Sequence, residues 1–461
     1  MKNLQIGEHD LIGRKFNGHD LHYYLMEKGI ESSHLVAIKE STDKNTYVFI
    51  RDKEIYSQNN TVSAIEWKYS IHCLNRYTNY EIIYDELFLN SDIVHYHLIH
   101  NYLFNFQLLP LMCDMKPSVF SVHAPWVITG RCIHFFDCQR WQQGCGDCPD
   151  IETPYIFKKD NTALNYEIKR RIFQNSQISL IVASDWMKNL VEQAPITQGL
   201  PVYKVPFGIN QDIYKPGNIK EAKKELGIDE DSFTIMFRSE ENVFKGMDYI
   251  KHALSRIQSP QKITLITVSQ PKLLEEFKDK FNIIEHNSWI KDDSYMAKLY
   301  QASDIFIMPS KAESFGLMAI EAMSCGKMVL TIDGSAVPEV INAPECGIST
   351  ERDFDAYTNE LQRLIDNPEE VNERGQKSLD FARQNYSHNT YVDRTMKVYE
   401  EVIKNHKKDE RINFVLEQLK THMQKPSAEN IDLGRKKSIL EKALKEIGRF
   451  FKRFRIEAEE F

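Results

Sequence analysis

Ile305-Phe306-Ile307-Met308, then Pro309-Ser310-Lys311-Ala312-Glu313-Ser314-Phe315-Gly316, then Leu317-Met318-Ala319-Ile320-Glu321-Ala322-Met323-Ser324-Cys325-Gly326: an apolar run, a turn-rich loop and a helical pattern follow one another without a break. The apolar run does not alternate with polar residues, which suits a parallel strand buried on both faces. Ser314 is placed to cap, and Phe315-Gly316 lead into a helix that runs to about Ser324. Similar apolar runs recur at Asp92–His97, Ser118–Val122, Leu180–Ala183, Phe233–Phe237, Ile263–Val268 and Met328–Thr331, with helical stretches such as Ser294–Ala302 between them. Repeated β-α units of this kind predict doubly wound parallel sheets.

The chain has 461 residues, enough for two or three domains. The turn-rich stretch from Pro206-Phe207-Gly208 to Pro216-Gly217 divides it into halves of α/β-domain size. Two such domains would face each other across a cleft, with ligands held at the carboxyl ends of their strands. Hydrophobic residues make up 42% and charged residues 27%. That is a globular composition, not a disordered one. With 58 Lys+Arg against 66 Asp+Glu the net charge is −8, which argues against a nucleic-acid partner. No apolar run is long enough to span a bilayer and the first residues lack the pattern of a leader, so a cytoplasmic protein with mostly reduced cysteines is expected.

The helix after Gly316 presents free N–H groups and the positive end of its dipole, which suit a phosphate. Glu313 stands before that helix and Glu321 two turns into it. A carboxylate there accepts hydrogen bonds from a diol, so the pair fits a sugar at Glu313 and a ribose at Glu321. Taken alone, both are equally ordinary solvated helix-start carboxylates. Phe237-Arg238-Ser239-Glu240-Glu241-Asn242-Val243-Phe244-Lys245-Gly246 supplies the context. Arg238 at a strand end and Lys245 before a helix can neutralise a diphosphate, Arg through a forked contact and Lys as a point charge. An isolated Arg and Lys near a loop are otherwise surface charges.

This arrangement, with Glu-x7-Glu, resembles retaining glycosyltransferase family 4 of the GT-B fold. The likeness covers about residues 1 to 405. His97-Leu98-Ile99-His100-Asn101, Ser121-Val122-His123-Ala124-Pro125-Trp126, Ala183-Ser184-Asp185-Trp186-Met187 and Val205-Pro206-Phe207-Gly208-Ile209-Asn210 resemble a bacterial polysaccharide-biosynthesis branch of that family. The resemblance implies a GT-B fold of two Rossmann-like doubly wound domains, with a helical C-terminal tail. The first domain, 1–207, would serve the acceptor, and the second, 208–385, the nucleotide-sugar. A helix at 386–405 would cross back, and a tail would occupy 406–461. The implied activity is transfer of a hexose from a nucleoside diphosphate sugar to a glycan acceptor, lipid-linked, with retained configuration and without a catalytic cofactor. A small soluble or protein acceptor, or a non-catalytic nucleotide-sugar-binding relative, are the alternatives. The resemblance assigns catalysis to His123, Arg238, Lys245 and Glu313. Donor binding would fall to Gly13, Arg14, Arg238, Lys245, Glu313, Ser314, Phe315, Gly316, Leu317 and Glu321.

The strand–loop–helix of Gly7 to Gly18 departs from the family pattern. Two adjacent glycines are often found there; this chain has Gly13-Arg14, so Arg14 is a candidate phosphate ligand and Gly13 either a close-approach or a simple turn glycine. His97 and His100 either face the acceptor or pack. Cys132, Cys138, Cys145 and Cys148, spaced Cys-x5-Cys-x6-Cys-x2-Cys, offer four thiolates for a structural Zn²⁺. Two disulfides or four unlinked thiols are the other readings. Cys73, Cys113, Cys325 and Cys346 read as small apolar fillers. Arg435 to Arg455 carries nine Lys/Arg and two Glu, net +7, around an apolar stripe of Ile439, Leu440, Ala443, Leu444, Ile447, Phe450, Phe451 and Phe454. Such a helix lies on an anionic membrane surface, here the inner face of the cell membrane, or docks on protein.

Overall fold

A computed structural model describes residues 1–49, 62–71, 82–99, 104–153, 157–287, 290 and 292–407. His100, Cys73 and the tail from 408 onward, with its basic segment, lie outside the described residues.

Two parallel sheets organise the chain. The first runs β3-β2-β1-β4-β5-β6-β7, with β1 Lys2–His9, β2 Glu31–Ile38, β3 Thr46–Val48, β4 Ile93–Tyr96, β5 Ser118–Ser121, β6 Ile178–Val182 and β7 Val202–Lys204. The second runs β10-β9-β8-β11-β12-β13, with β8 Phe233–Ser239, β9 Ile263–Ser269, β10 Asn282–Asn287, β11 Ile305–Met308, β12 Met328–Ile332 and β13 Ile348–Thr350. Each apolar run quoted above is one of the strands. β4, β5, β6 and β12 are buried at every residue, which is why their sequences do not alternate. The strands that the apolar-run criterion misses are outer or polar ones. β3, β7 and β13 are three residues long, β2 carries Ser32, Ser33 and His34, and β10 is an edge strand with Glu285 and His286.

In each sheet the chain builds outward to one side and then returns to start the other. The reversal falls between β1 and β4 in the first sheet and between β8 and β11 in the second. Loops leaving two neighbouring strands diverge at such a point and open a crevice. The loop after β1 (residues 10–18), the loop after β8 (240–246) and the loop after β11 (309–316) are therefore placed by topology to hold a ligand. Helix α1, His19–Glu27, follows the first of these, α2, Met247–Arg256, the second, and α3, Leu317–Ser324, the third.

The two domains share packing. Phe207 and Ile209 join β8–β12 residues such as Met236 and Phe306 in one buried cluster. The last described helix, α4, His388–Asn405, sends Tyr399 into the first domain. Its hydroxyl accepts from Gln5 Nε2 at 3.0 Å and meets His95 Nδ1 at 2.7 Å. Gly208 permits the crossing, since a Cβ there would lie 2.4 Å from the Ser387 carbonyl oxygen. No helix of the described residues is long and apolar enough to cross a membrane.

Candidate active site

The second-domain wall is two loops held together. Gly246 adopts φ 68° as the N-cap of α2, and a Cβ there would sit 1.8 Å from the Pro309 carbonyl oxygen. Only glycine allows that approach. Lys311 N–H then donates to the Phe244 carbonyl at 2.9 Å. The result brings Lys245 and Glu313 together, Nζ to Oε1 at 2.6 Å, although they are 68 residues apart. Arg238 at the end of β8 pairs with Glu240 at 2.6 Å. Of the residues singled out from sequence, Lys245 and Glu313 thus meet, while Arg238 stands at the end of β8 with Glu240 as its partner.

One expectation for the α3 loop needs correction. Ser314 is not the cap: Gly316, at φ 104°, occupies the N-cap with no side-chain cap bond, and the Ser314 carbonyl instead accepts from Ser184 Oγ at 2.8 Å. A positive φ serves where the loop must turn sharply into the helix, and serine disfavours it. Phe315 is 3% exposed, packed edge-on against Phe207 and Tyr386. Its side chain joins the domains. Gly316 and Leu317 begin α3 as expected.

Glu321, expected toward a ribose, is held by protein partners. It is 5% exposed, accepts from Tyr300 Oη at 3.0 Å, and is ion-paired with Lys15 of the first domain. Lys15 lies over the Tyr214 ring at 5.2 Å. Burial alone would lower the Lys15 pKa; Glu321, Asp20 and Asp293 outweigh it and hold the ammonium above the usual lysine value. Arg14 likewise bridges the cleft, pairing with Asp293 and, at 3.3 Å, with Asp20. Arg14 is legible in the sequence as a loop cation in the glycine position. Lys15 is not, because one lysine after an arginine in a loop looks like any surface charge; only the partner from the other domain gives it away.

Gly13 is a turn glycine: it adopts φ 59°, and the nearest atom to a Cβ built there would be Asn17 Nδ2 at 3.4 Å. The close approach belongs to Gly18, where a Cβ would fall 2.4 Å from the His97 ring. His97 packs: it is fully buried, its Nε2 meets Gln5 Oε1 at 2.8 Å, and burial keeps its pKa well below the usual histidine value. His123 follows β5 and is sandwiched, with His97 at 5.9 Å and 12° on one side and Phe207 at 5.5 Å and 20° on the other. Phe207 also touches Phe315 at 5.5 Å, so the histidine sits one ring away from the α3 loop.

A second tie across the domains has no signal in the sequence. Asp185 and Trp186 N–H, at the start of the helix Asp185–Gln193, donate to the Glu339 carboxylate at 2.8 and 2.9 Å. The two Asp-x-Asp triplets of the chain are structural: Asp229 pairs with Lys262 at 2.7 Å, and Asp353 caps the helix Phe354–Asp366. Cys132, Cys138, Cys145 and Cys148 are unlinked and line one small cavity of the first domain. Cys113, Cys325 and Cys346 are buried, as fillers should be.

Chemically, the cleft brings four cations (Arg14, Lys15, Arg238, Lys245) to the carboxyl ends of both sheets, each paired with a carboxylate. Such a set can exchange its internal partners for a polyanion that also carries hydroxyls, since charge-assisted bonds to phosphate replace those to carboxylate.

Residues 218–380 match the family model described as glycosyl transferases group 1. The MMP alpha-(1->4)-mannosyltransferase of Mycolicibacterium hassiacum is 25% identical over 296 residues, covering 62% of this chain and 66% of that protein. The chain spans about half to two thirds of the length of the first curated relatives it matches. Among solved structures, Anabaena HepE in complex with UDP and glucose superposes with a TM-score of 0.59 at 14% identity, covering 87% of this chain and 99% of that one. WaaG, a glycosyltransferase involved in lipopolysaccharide biosynthesis, gives 0.60 at 14% identity over 87% and 99%. These likenesses concern the fold, and the two sheets described above are its two halves. The second domain, residues 218–380, thus matches the glycosyl transferases group 1 model, and it sits within a two-domain GT-B fold.

Proposed function

We propose that the protein is a retaining glycosyltransferase that moves a hexose from a nucleoside diphosphate sugar to a glycan acceptor in polysaccharide or surface-glycan synthesis. The observation that carries this reading is the pairing of Lys245 with Glu313 across the loops after β8 and β11, with Arg238 at the end of β8 beside them in sequence and Arg14 and Lys15 in the loop after β1. The cations match a diphosphate and the carboxylates match sugar hydroxyls. HepE holding UDP and glucose in the same fold supports a nucleotide-sugar donor.

In this reading the bond between the anomeric carbon and the diphosphate oxygen breaks while the acceptor oxygen bonds to the same face. The acceptor proton passes to the departing diphosphate. Arg238 and Lys245 stabilise the charge that develops on that leaving group, the kind of term that contributes most to catalysis. Lys245 is released from Glu313 as the donor enters, which frees Glu313 for the sugar hydroxyls. Closure of the domains excludes water, whose attack would waste the donor. A lipid-linked acceptor fits a basic amphipathic tail lying on an anionic membrane.

The test is a thermal-shift screen of UDP-, GDP- and ADP-sugars, followed by product analysis with the stabilising donor. One donor class should raise the melting temperature with concentration, and NMR of the product should show the anomeric configuration of the donor. Unaltered product formation by Glu313→Ala would place the active site elsewhere. For the tail, flotation on anionic liposomes should disappear when the chain is cut after Pro426; unchanged flotation refutes the membrane role.

A further inference from the structure

Arg131 is fully buried, yet it has no carboxylate partner. One nitrogen, Nη1, donates to the Asp150 carbonyl at 2.6 Å, and the guanidinium lies 4.7 Å from the Phe157 ring centre. Nε and Nη2 are buried with no hydrogen-bond partner. Burying a guanidinium with two of its three nitrogens unbonded is costly, even with the Asp150 carboxylate attracting it from a distance. Arg131 lines the small cavity that Cys132, Cys138, Cys145 and Cys148 also line. So does Trp141, 2% exposed, whose Nε1–H is likewise buried without a partner. Buried donors without acceptors therefore converge on four thiols.

The backbone around the thiols is shaped to present them. Gly144, Cys145, Gly146 and Asp147 take φ of 104°, 60°, 90° and 44°, an unusual run for which two non-glycine residues adopt the left-handed region. That turn lets the Gly130 N–H donate to Cys145 Sγ at 3.2 Å. N–H donors directed at sulfur stabilise a thiolate more than a thiol. We propose that Cys132, Cys138, Cys145 and Cys148 bind one Zn²⁺ as a tetrathiolate, with Arg131 as its buried counter-charge and the Trp141 N–H as a donor to sulfur. Four thiols give up four protons and the zinc centre carries a net charge of −2, half of which the Arg131 guanidinium offsets. Soft thiolates in a closed four-ligand set select zinc and leave no open position for catalysis. As they stand, no three His, Cys, Asp or Glu side chains among the described residues are grouped tightly enough to hold an ion. Loading draws the sulfurs inward: Cys148, for one, now points its Sγ at the Asp150 carbonyl, 3.0 Å away, and must turn from it.

The site lies under the segment that reaches the donor domain. Between Cys132 and Cys138, Phe136 stacks on Phe244 at 5.4 Å and 13°, one residue from Lys245. Asp137 meets Arg352 at 3.3 Å, and His134 stacks on Trp186 at 5.8 Å and 7°. The metal thus fixes a first-domain arm against the loop that carries Lys245.

The test is metal analysis with native mass spectrometry of the full-length protein, purified anaerobically from zinc-supplemented medium. One zinc per chain is expected, and an organomercurial should release it into a chromophoric chelator as four thiols react. Cys132→Ser and Cys145→Ser should each lose the metal, whereas Cys113→Ser, buried away from the cavity, should keep it. Substoichiometric zinc, iron in its place, or a metal-free mass short by the hydrogens of disulfides would overturn the proposal. If the cysteine variants do not fold, the zinc and thiol stoichiometry of the unaltered protein still decides.

Discussion

Lys15 and Glu321 form a contact between domains that neither residue advertises. Glu321 is 5% exposed, so removing the ammonium leaves its carboxylate buried with only the Tyr300 hydroxyl. Breaking one side of such a pair costs more than removing both. Lys15→Met and Glu321→Gln should each lower stability by about 2–4 kcal/mol, and the double variant by less than their sum, with a coupling of at least ~1 kcal/mol in a double-mutant cycle. Additive losses in urea titrations would show that the contact is incidental. In the proposed function Lys245 and Glu313 act on the reaction instead. Lys245→Ala should leave the fold intact and reduce kcat by about 10²–10³, the usual loss when one charge-stabilising donor is removed; a purely structural role would lower the melting temperature and spare kcat.

At the scale of elements, the loops after β1, β8 and β11 matter because of where the sheets reverse direction. The 240–246 and 309–316 loops touch at Gly246, whose hypothetical Cβ would overlap the Pro309 carbonyl. Gly246→Ala should therefore destabilise the protein by roughly 1–3 kcal/mol and also depress activity, by pulling Lys245 away from Glu313. Retained activity at full stability would mean the loops do not depend on that approach. The strand–loop–helix pattern behind this is plain in Ile305–Gly326, and so are the cation and carboxylate types. The true helix start is not, because a serine before a helix and a glycine at positive φ offer competing ways to begin it, and contacts to Ser184 settle the choice.

The molecule as a whole is joined by the Tyr399 hydroxyl and by buried imidazoles. Tyr399→Phe should cost about 1–2 kcal/mol by leaving Gln5 and His95 without that partner. Burial lowers the His34 pKa to about 3 and the His22 pKa to about 4, in both cases as the leading cause. The unfolded chain takes up these protons near the ordinary value of 6.5, so the contribution to stability is complete above 6.5 and is lost as pH falls toward 4 and below. A melting temperature that stays flat between pH 7 and 4.5 would contradict this.

The sequence by itself determined the two parallel sheets, the helices that follow their inner strands, and the candidates Arg238, Lys245, Glu313 and Glu321. These follow from local patterns: a strand buried on both faces must be apolar throughout, and phosphate and diol recognition needs particular charges near strand ends. Only the tertiary structure decided which charges meet. Lys15 with Glu321, Arg14 with Asp293, Glu339 with the N–H groups of Asp185 and Trp186, and Arg131 among the four cysteines are pairings that the folded chain creates. Their cause is the way two domains and one long loop come to rest against each other, and a short window of sequence does not reveal such partners.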